Sequence, residues 1–139
     1  MSELPQLVAQ VEAYELDGAA WCILWSETQR RLTMPIVTAE TLGNGNLTGA
    51  DHGATVSLIF DNTDPGGGPR LHRHPYDETW VVHEGNVTFQ AGDELLRAAP
   101  GDVVIVPPDT PHKFTNDGPG QSAMVCIHAS PEFVTEWLE

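Results

Sequence analysis

Short apolar runs recur along this sequence, and residues that favour turns separate them. The runs cover Trp21–Trp25, Thr55–Phe60, Thr79–His83, Val87–Gln90, Leu95–Ala98, Val103–Val106, His112–Thr115 and Ala123–His128. Clusters of Gly, Pro, Asn and Asp lie between them, for example at residues 64–69 and 116–120. Many short strands joined by closely spaced turns are typical of an all-β sandwich or barrel. No long amphipathic helix stands out, so the pattern predicts an all-β protein.

The C-terminal end follows a different pattern. Ser130, Pro131 and Glu132 supply an N-cap residue, a proline at the first helical position and an acidic residue in the first turn. These features predict a short helix within residues 129–139, running through Trp137. Its apolar side chains would share one face and cover a surface of the barrel. They are Phe133, Val134, Trp137 and Leu138.

The length of 139 residues suits one domain with one core. We predict a single domain over residues 1–139, with N-terminal strands or an arm over residues 1–50. The barrel would occupy residues 51–128, and the helix would follow. Leu7–Leu16 fits a strand or a short helix equally well, whereas Trp21–Trp25 is a strong strand candidate.

The chain is strongly acidic, with six Lys and Arg against twenty Asp and Glu and a net charge of -14. Such a chain repels phosphate backbones and anionic head groups, which argues against nucleic-acid and membrane partners. No stretch approaches the roughly 20 apolar residues that span a bilayer. The N-terminus lacks the basic start and apolar run of a signal peptide. We therefore expect a cytoplasmic protein in which Cys22 and Cys126 are reduced core residues.

Three histidines and one glutamate have the spacing of a metal site. His72 and His74 are two residues apart, which places both imidazoles on the same face of a strand. A short break follows before Glu78 begins the next strand, and His112 begins a later strand after a proline-rich turn. Three imidazoles and one carboxylate suit a borderline divalent cation.

The surrounding residues make the pattern more specific. From Gly66 the sequence reads G-x5-H-x-H-x3-E-x6-G, and from Gly101 it reads G-x5-P-x-D-x2-H-x3-N, ending at Asn116. Fifteen residues separate Gly85 from Gly101. This resembles the two signature motifs of the cupin superfamily at their shortest usual spacing. One departure is Asp109, where the second motif usually has glycine; we expect a positive φ there, which Asp tolerates.

The resemblance implies a cupin-type antiparallel β-barrel, a double-stranded β-helix or jelly roll, with His72, His74, Glu78 and His112 as ligands of one divalent metal ion. Four protein ligands leave two open positions on an octahedral ion. Iron, manganese, nickel, zinc, cobalt and copper all fit the donor set. Cupins with these ligands include many dioxygenases, so an oxygenase acting on a small organic molecule is the first hypothesis. A metal-assisted isomerase, lyase or cyclase, and a protein that only binds a small ligand, are the alternatives.

Strand alternation predicts the neighbours of the ion. Arg70 would face inward with His72, Trp80 with Glu78, and Phe114 with His112. Met124 and His128 share one face of the last strand, and alternation does not decide which face. We predict a substrate pocket formed by Arg70, Trp80, Phe114 and Met124, with His128 or Tyr76 as the general base or acid. Barrel cupins often dimerise through N-terminal strands, so Trp21–Trp25 suggests a homodimer or, alternatively, a strand that closes its own barrel.

Overall fold

Ten strands form two antiparallel five-stranded sheets in residues 35–43 and 45–139, the part of the chain that the computed structural model describes. The strands are β1 (Asn46–Leu47), β2 (Ser57–Thr63), β3 (His72–Arg73), β4 (Glu78–Glu84), β5 (Val87–Ala91), β6 (Glu94–Ala98), β7 (Val103–Val106), β8 (His112–Asn116), β9 (Ser122–His128) and β10 (Glu136–Trp137). A four-residue helix, α1 (Ala39–Leu42), and a 3-10 turn at Gly49–His52 precede β2. The order is β1-β2-β9-β4-β7 in the first sheet and β10-β3-β8-β5-β6 in the second. The predicted all-β fold with antiparallel sheets is confirmed.

The core forms because inward positions alternate with outward ones along each strand. In β9 every second residue from Ser122 to His128 is buried, and β4 shows the same alternation over Glu78, Trp80 and Val82. The apolar core consists of Trp80, Val82, Val87, Phe89, Ala98, Val104, Val106, Phe114, Met124 and Cys126. The runs predicted from Thr55 to His128 therefore coincide with strands to within about three residues.

Two turns bring the ligand-bearing strands close together. Asp109 has φ of 59°, and it is the one non-glycine residue with positive φ in the described ranges. Its backbone N–H donates to the carbonyl of His74 at 2.7 Å, so this turn connects both ligand segments. At Gly68 an added Cβ would lie 1.9 Å from the carbonyl oxygen of Phe114. That close approach of two backbones requires glycine.

The predicted C-terminal helix is wrong. The Ser130 hydroxyl does accept a hydrogen bond from the Glu132 N–H at 3.2 Å, as a capping residue would. The chain then continues extended, and β10 pairs with β3, placing Glu136 opposite Arg73 and Trp137 opposite His72. An isolated helix of this length is marginal in water, whereas the edge of β3 offers unpaired backbone groups.

The predictions for residues 1–34 lie outside the described residues. They include Leu7–Leu16, the strand candidate Trp21–Trp25 and the buried thiol of Cys22. The described part of the predicted N-terminal arm contains α1 and β1, and β1 pairs with β2. Residues 35–139 form one compact unit, and the assignment of residues 1–139 to a single domain stays a prediction. In that same part of the chain, no helix is long and apolar enough to cross a membrane.

Candidate metal centre

Three strands and the segment just after β3 bring the predicted ligands together inside the barrel. His72 lies on β3, His74 lies just after it, and Glu78 and His112 begin β4 and β8. His72 is paired with His112 across β3 and β8. All four side chains are buried, and their ligand atoms lie within 4.8 Å of one another. The sequence motif therefore converges on one point in space.

Backbone carbonyls orient the three imidazoles. The Nδ1 atoms of His72, His74 and His112 lie 2.7, 2.8 and 2.7 Å from the carbonyl oxygens of Arg70, Val134 and Thr110. Because a carbonyl oxygen can only accept, each Nδ1 carries a proton and donates it, so Nε2 is the ring nitrogen that remains for the cluster. This arrangement is typical of histidines that ligate metals.

Glu78 is the acidic centre of the cluster. Its Oε2 atom lies 3.0 Å from Nε2 of His74 and 3.1 Å from Nε2 of His112. Burial alone would raise the pKa of Glu78, but contacts with His112 and His74 outweigh burial and bring the pKa to about 2. Glu78 is therefore a buried carboxylate at neutral pH.

The donor atoms of the cluster suit a positively charged ion. The Nε2 atom of His74 is buried and has no hydrogen-bond partner among the described residues, although Oε2 of Glu78 is close to it. Burial alone would lower the pKa of His74, but Glu78 and the Val134 carbonyl outweigh burial and raise it. The carboxylate thus favours positive charge where Nε2 of His74 and Nε2 of His112 converge. These donors fit a single divalent metal ion, as in cupins.

His128 also lies beside Glu78, at the end of the neighbouring strand β9. It pairs with Glu78 across β4 and β9, and its Nε2 lies 3.2 Å from Oε1 of Glu78. Burial lowers its pKa to about 4, so the ring is neutral at pH 7. Its inward orientation resolves the ambiguity that alternation left open for β9.

Tyr76 lies beside the cluster but is held by the C-terminal segment. Its hydroxyl accepts from the N–H of Val134 at 2.9 Å and donates to the carbonyl of the same residue at 3.3 Å. Its ring stacks on His74 with centroids 5.2 Å apart. These contacts hold the segment that joins His74 to Glu78 against the C-terminal segment. The role of Tyr76 in proton transfer stays a prediction.

A cavity of about 310 Å³ opens onto the ligand cluster. Its lining consists of Asn46, Ile59, Pro69, His72, His74, Glu78, Trp80, Phe114, Cys126, His128, Phe133, Thr135 and Trp137. Trp80 and Phe114 thus line the cavity, and their contact with a substrate stays a prediction. Cys126 contributes a thiol whose pKa is raised by burial, so it lines the cavity as a neutral group.

Two predicted pocket residues do not line this cavity. Arg70 is exposed, and its guanidinium donates to the backbone carbonyl of Glu139 at 2.8 Å and lies 5.0 Å from the ring centroid of Trp137. The inward direction that strand alternation predicted for Arg70 is wrong, because β3 begins only at His72 and Arg70 precedes the strand. Met124 is buried in the apolar core, one inward position beyond the cavity-lining Cys126.

Phe133, Thr135 and Trp137 line the cavity and were not predicted to do so. Their spacing of two residues was visible in the sequence and is the period of a strand. The helix-capping residues before them favoured a helix, and the sequence interpretation therefore did not assign a strand here. The C-terminal segment thus forms one wall of the cavity and does not cover the outside of the barrel.

A family model described as a cupin domain matches residues 60–128. No curated protein sequence matches the chain. Among solved structures, a protein with a double-stranded β-helix domain from Klebsiella pneumoniae subsp. pneumoniae has 24% identity and a TM-score of 0.57, covering 61% of this chain and 76% of that one. These matches agree with the observed sheets and with both sequence motifs.

Two further solved structures share the fold. A cupin 2 conserved barrel domain protein from Rhodopseudomonas palustris has 25% identity and a TM-score of 0.54, covering 60% of this chain and 57% of that one. An oxalate oxidase in complex with the substrate analogue glycolate has 21% identity and a TM-score of 0.59, covering 68% of this chain and 56% of the enzyme. The alignment therefore spans little more than half of each of these two chains.

Proposed function

Since the chain belongs to the cupin superfamily, we propose that it is a mononuclear metal-dependent dioxygenase acting on a small organic molecule. The observation that carries the proposal is the convergence of three buried imidazoles and one buried carboxylate beside a cavity. Iron, manganese, nickel, zinc, cobalt and copper are all compatible with nitrogen and oxygen donors. His72, His74, Glu78 and His112 would hold the ion.

The cavity favours a reaction centre over a sealed structural site. Four protein ligands leave room on a six-coordinate ion for oxygen and substrate, which a redox-active metal could bring into reaction. The aromatic side chains of Trp80, Phe114, Phe133 and Trp137 would exclude water and orient the substrate. All four ligands are buried and each histidine ring is fixed by a backbone carbonyl, so the donor geometry is preorganised.

The same lining constrains the substrate. No Lys or Arg is among the described residues that line the cavity, and the nearby Arg70 is engaged at the surface. A small dianion would therefore meet apolar walls without a cationic side chain to balance its charge. We propose a substrate with an apolar or aromatic body and oxygen donors at one end, in contrast to the substrate analogue glycolate in the oxalate oxidase structure.

Elemental analysis of protein purified without an affinity tag or added metal, followed by oxygen-uptake assays, tests the proposal. About one iron, manganese, nickel or copper per chain with oxygen consumed on a panel of aromatic and enolic compounds supports it. Zinc alone, or no uptake with iron(II) or manganese(II), would favour an isomerase, lyase or cyclase in which the ion acts as a Lewis acid. A chain that takes up no metal would contradict both.

We also propose a cytoplasmic homodimer that binds neither nucleic acid nor membranes. Its acidity supports the absence of those partners. Strand β7 is at the edge of its sheet, and its outward residues Val103 and Ile105 are 56% and 65% exposed, which supports contact with a second copy. Light scattering on the purified chain and on Ile105→Glu tests this part, because the charge should shift a dimer towards monomer. An unchanged mass would contradict a contact at β7.

A further inference from the structure

The two oxygens of Glu78 face different neighbours. Oε2 lies between Nε2 of His74 and Nε2 of His112, at 3.0 and 3.1 Å. Oε1 points to the opposite strand, where Nε2 of His128 lies 3.2 Å away. One oxygen is therefore directed at the metal donors, and the other is directed at a residue outside the ligand group.

His128 has no other described partner that explains its position. Its side chain is 3% exposed, and neither ring nitrogen makes a hydrogen bond within residues 35–43 and 45–139. Buried polar groups normally have partners. The contact with Oε1 is within hydrogen-bonding distance but lacks the required alignment, so a small adjustment of either side chain would satisfy both groups.

The surroundings of the ring restrict what else His128 can do. The His74 ring lies 4.8 Å from it, edge to face, and the Phe133 ring lies 4.9 Å away in the same arrangement. Its position on β9, directly opposite Glu78, fixes it against the carboxylate. Its nitrogens are not part of the group of four whose donor atoms lie within 4.8 Å of one another.

We propose that His128 is a positioning residue whose Nε2–H donates to Oε1 of Glu78 and so keeps Glu78 a one-oxygen ligand. This inference rests on the proposed metal centre. A carboxylate can bind an ion through one oxygen or two, and the second oxygen would occupy a position that substrate or oxygen needs. By holding Oε1, His128 leaves Oε2 for the ion and preserves the open coordination positions.

The test compares two substitutions of similar size. His128→Gln retains an N–H donor at the end of the side chain, whereas His128→Leu fills the space without a donor. Cobalt(II) is the probe, because its binding can be titrated and its visible absorption reports coordination geometry. His83→Leu, at an exposed histidine on β4, is the control. Circular dichroism on all variants checks that the barrel is retained.

We expect His128→Leu to weaken cobalt binding by about 10- to 100-fold and to alter the visible spectrum, as loss of a group that orients a ligand does. His128→Gln should remain within about threefold of the wild type, with an unchanged spectrum. Equal loss in both variants would overturn the proposal, because it would indicate a direct ligand or a packing role for the ring. Wild-type affinity and spectrum in His128→Leu would overturn it too. Failure of the wild type itself to bind cobalt would instead contradict the metal centre.

Discussion

The two ends of β8 both place a polar side chain in the interior, but they do so in different ways. Asn116 closes the strand and is buried to 1% exposure. Its amide donates to the carbonyls of Thr63 and Gly120 at 2.8 and 2.9 Å and accepts from the N–H of Gly118 at 2.9 Å. His112, equally buried, joins a cluster in which ring nitrogens remain without partners.

This difference shows that burial alone does not identify a functional polar group. Asn116 is satisfied by backbone groups of its own turn and of Thr63 at the end of β2, so it stabilises the barrel and needs nothing further. In the histidine cluster the Nδ1 atom of each ligand ring meets a backbone carbonyl, whereas Nε2 of His74 and Nε2 of His112 both lie beside one oxygen of Glu78. The structure accommodates that arrangement most readily when a cation is present. Mutations at the two ends of β8 should therefore have separate effects.

The largest effect is expected at the metal end. His74→Ala removes one ligand and should lower metal content from about one ion per chain to below about one tenth, with the β-rich circular dichroism retained. Elemental analysis after gel filtration measures this. His83→Ala, at an exposed histidine, is the matched control. Wild-type metal content in His74→Ala would mean that the ligand assignment is wrong.

Asn116→Ala should produce the opposite result. Three hydrogen bonds are lost and the buried N–H of Gly118 is left without that partner, so the free energy of unfolding should fall by about 3 kcal/mol. Denaturant unfolding measures the change, and Asn62→Ala at an exposed position is the control. The folded protein should retain its metal. Loss of metal from Asn116→Ala at unchanged stability would contradict the separation between a stabilising end and a metal-binding end of β8.

Removal of the metal should reduce stability by a smaller, concentration-dependent amount. An ion that binds only the folded chain stabilises it by about 2.7 kcal/mol at a free concentration of 100 times its Kd. Thermal unfolding with and without a chelator should therefore show a lower Tm after metal removal. The shift should persist in Asn116→Ala and be absent in His74→Ala. An equal shift in both variants would indicate metal binding elsewhere on the acidic surface.

The sequence predicted most of this arrangement because the relevant information is local. Alternation along β4 and β9 defines their inward faces, and the motif spacing brings four ligands to strand ends. Two outcomes depended on pairing between distant segments. The inward direction of His128 is set by its register with Glu78, and the extended C-terminal segment is set by pairing of β10 with β3. The capping features at Ser130 formed their turn, but tertiary pairing prevented the helix.

The smallest effect is expected at Asp109, where the second motif usually has glycine. Its φ of 59° is confirmed as positive, and its N–H holds the carbonyl of His74 at 2.7 Å. Asp109→Ala should lower the free energy of unfolding by about 1 kcal/mol, because alanine tolerates the left-handed region less well. Asp109→Gly should stay within about 0.5 kcal/mol of the wild type, because relief of strain offsets the greater freedom of the unfolded chain. Denaturant unfolding compares the two. Equal destabilisation by Ala and Gly would indicate that the carboxylate itself, and not the backbone conformation, stabilises the turn that joins both ligand segments.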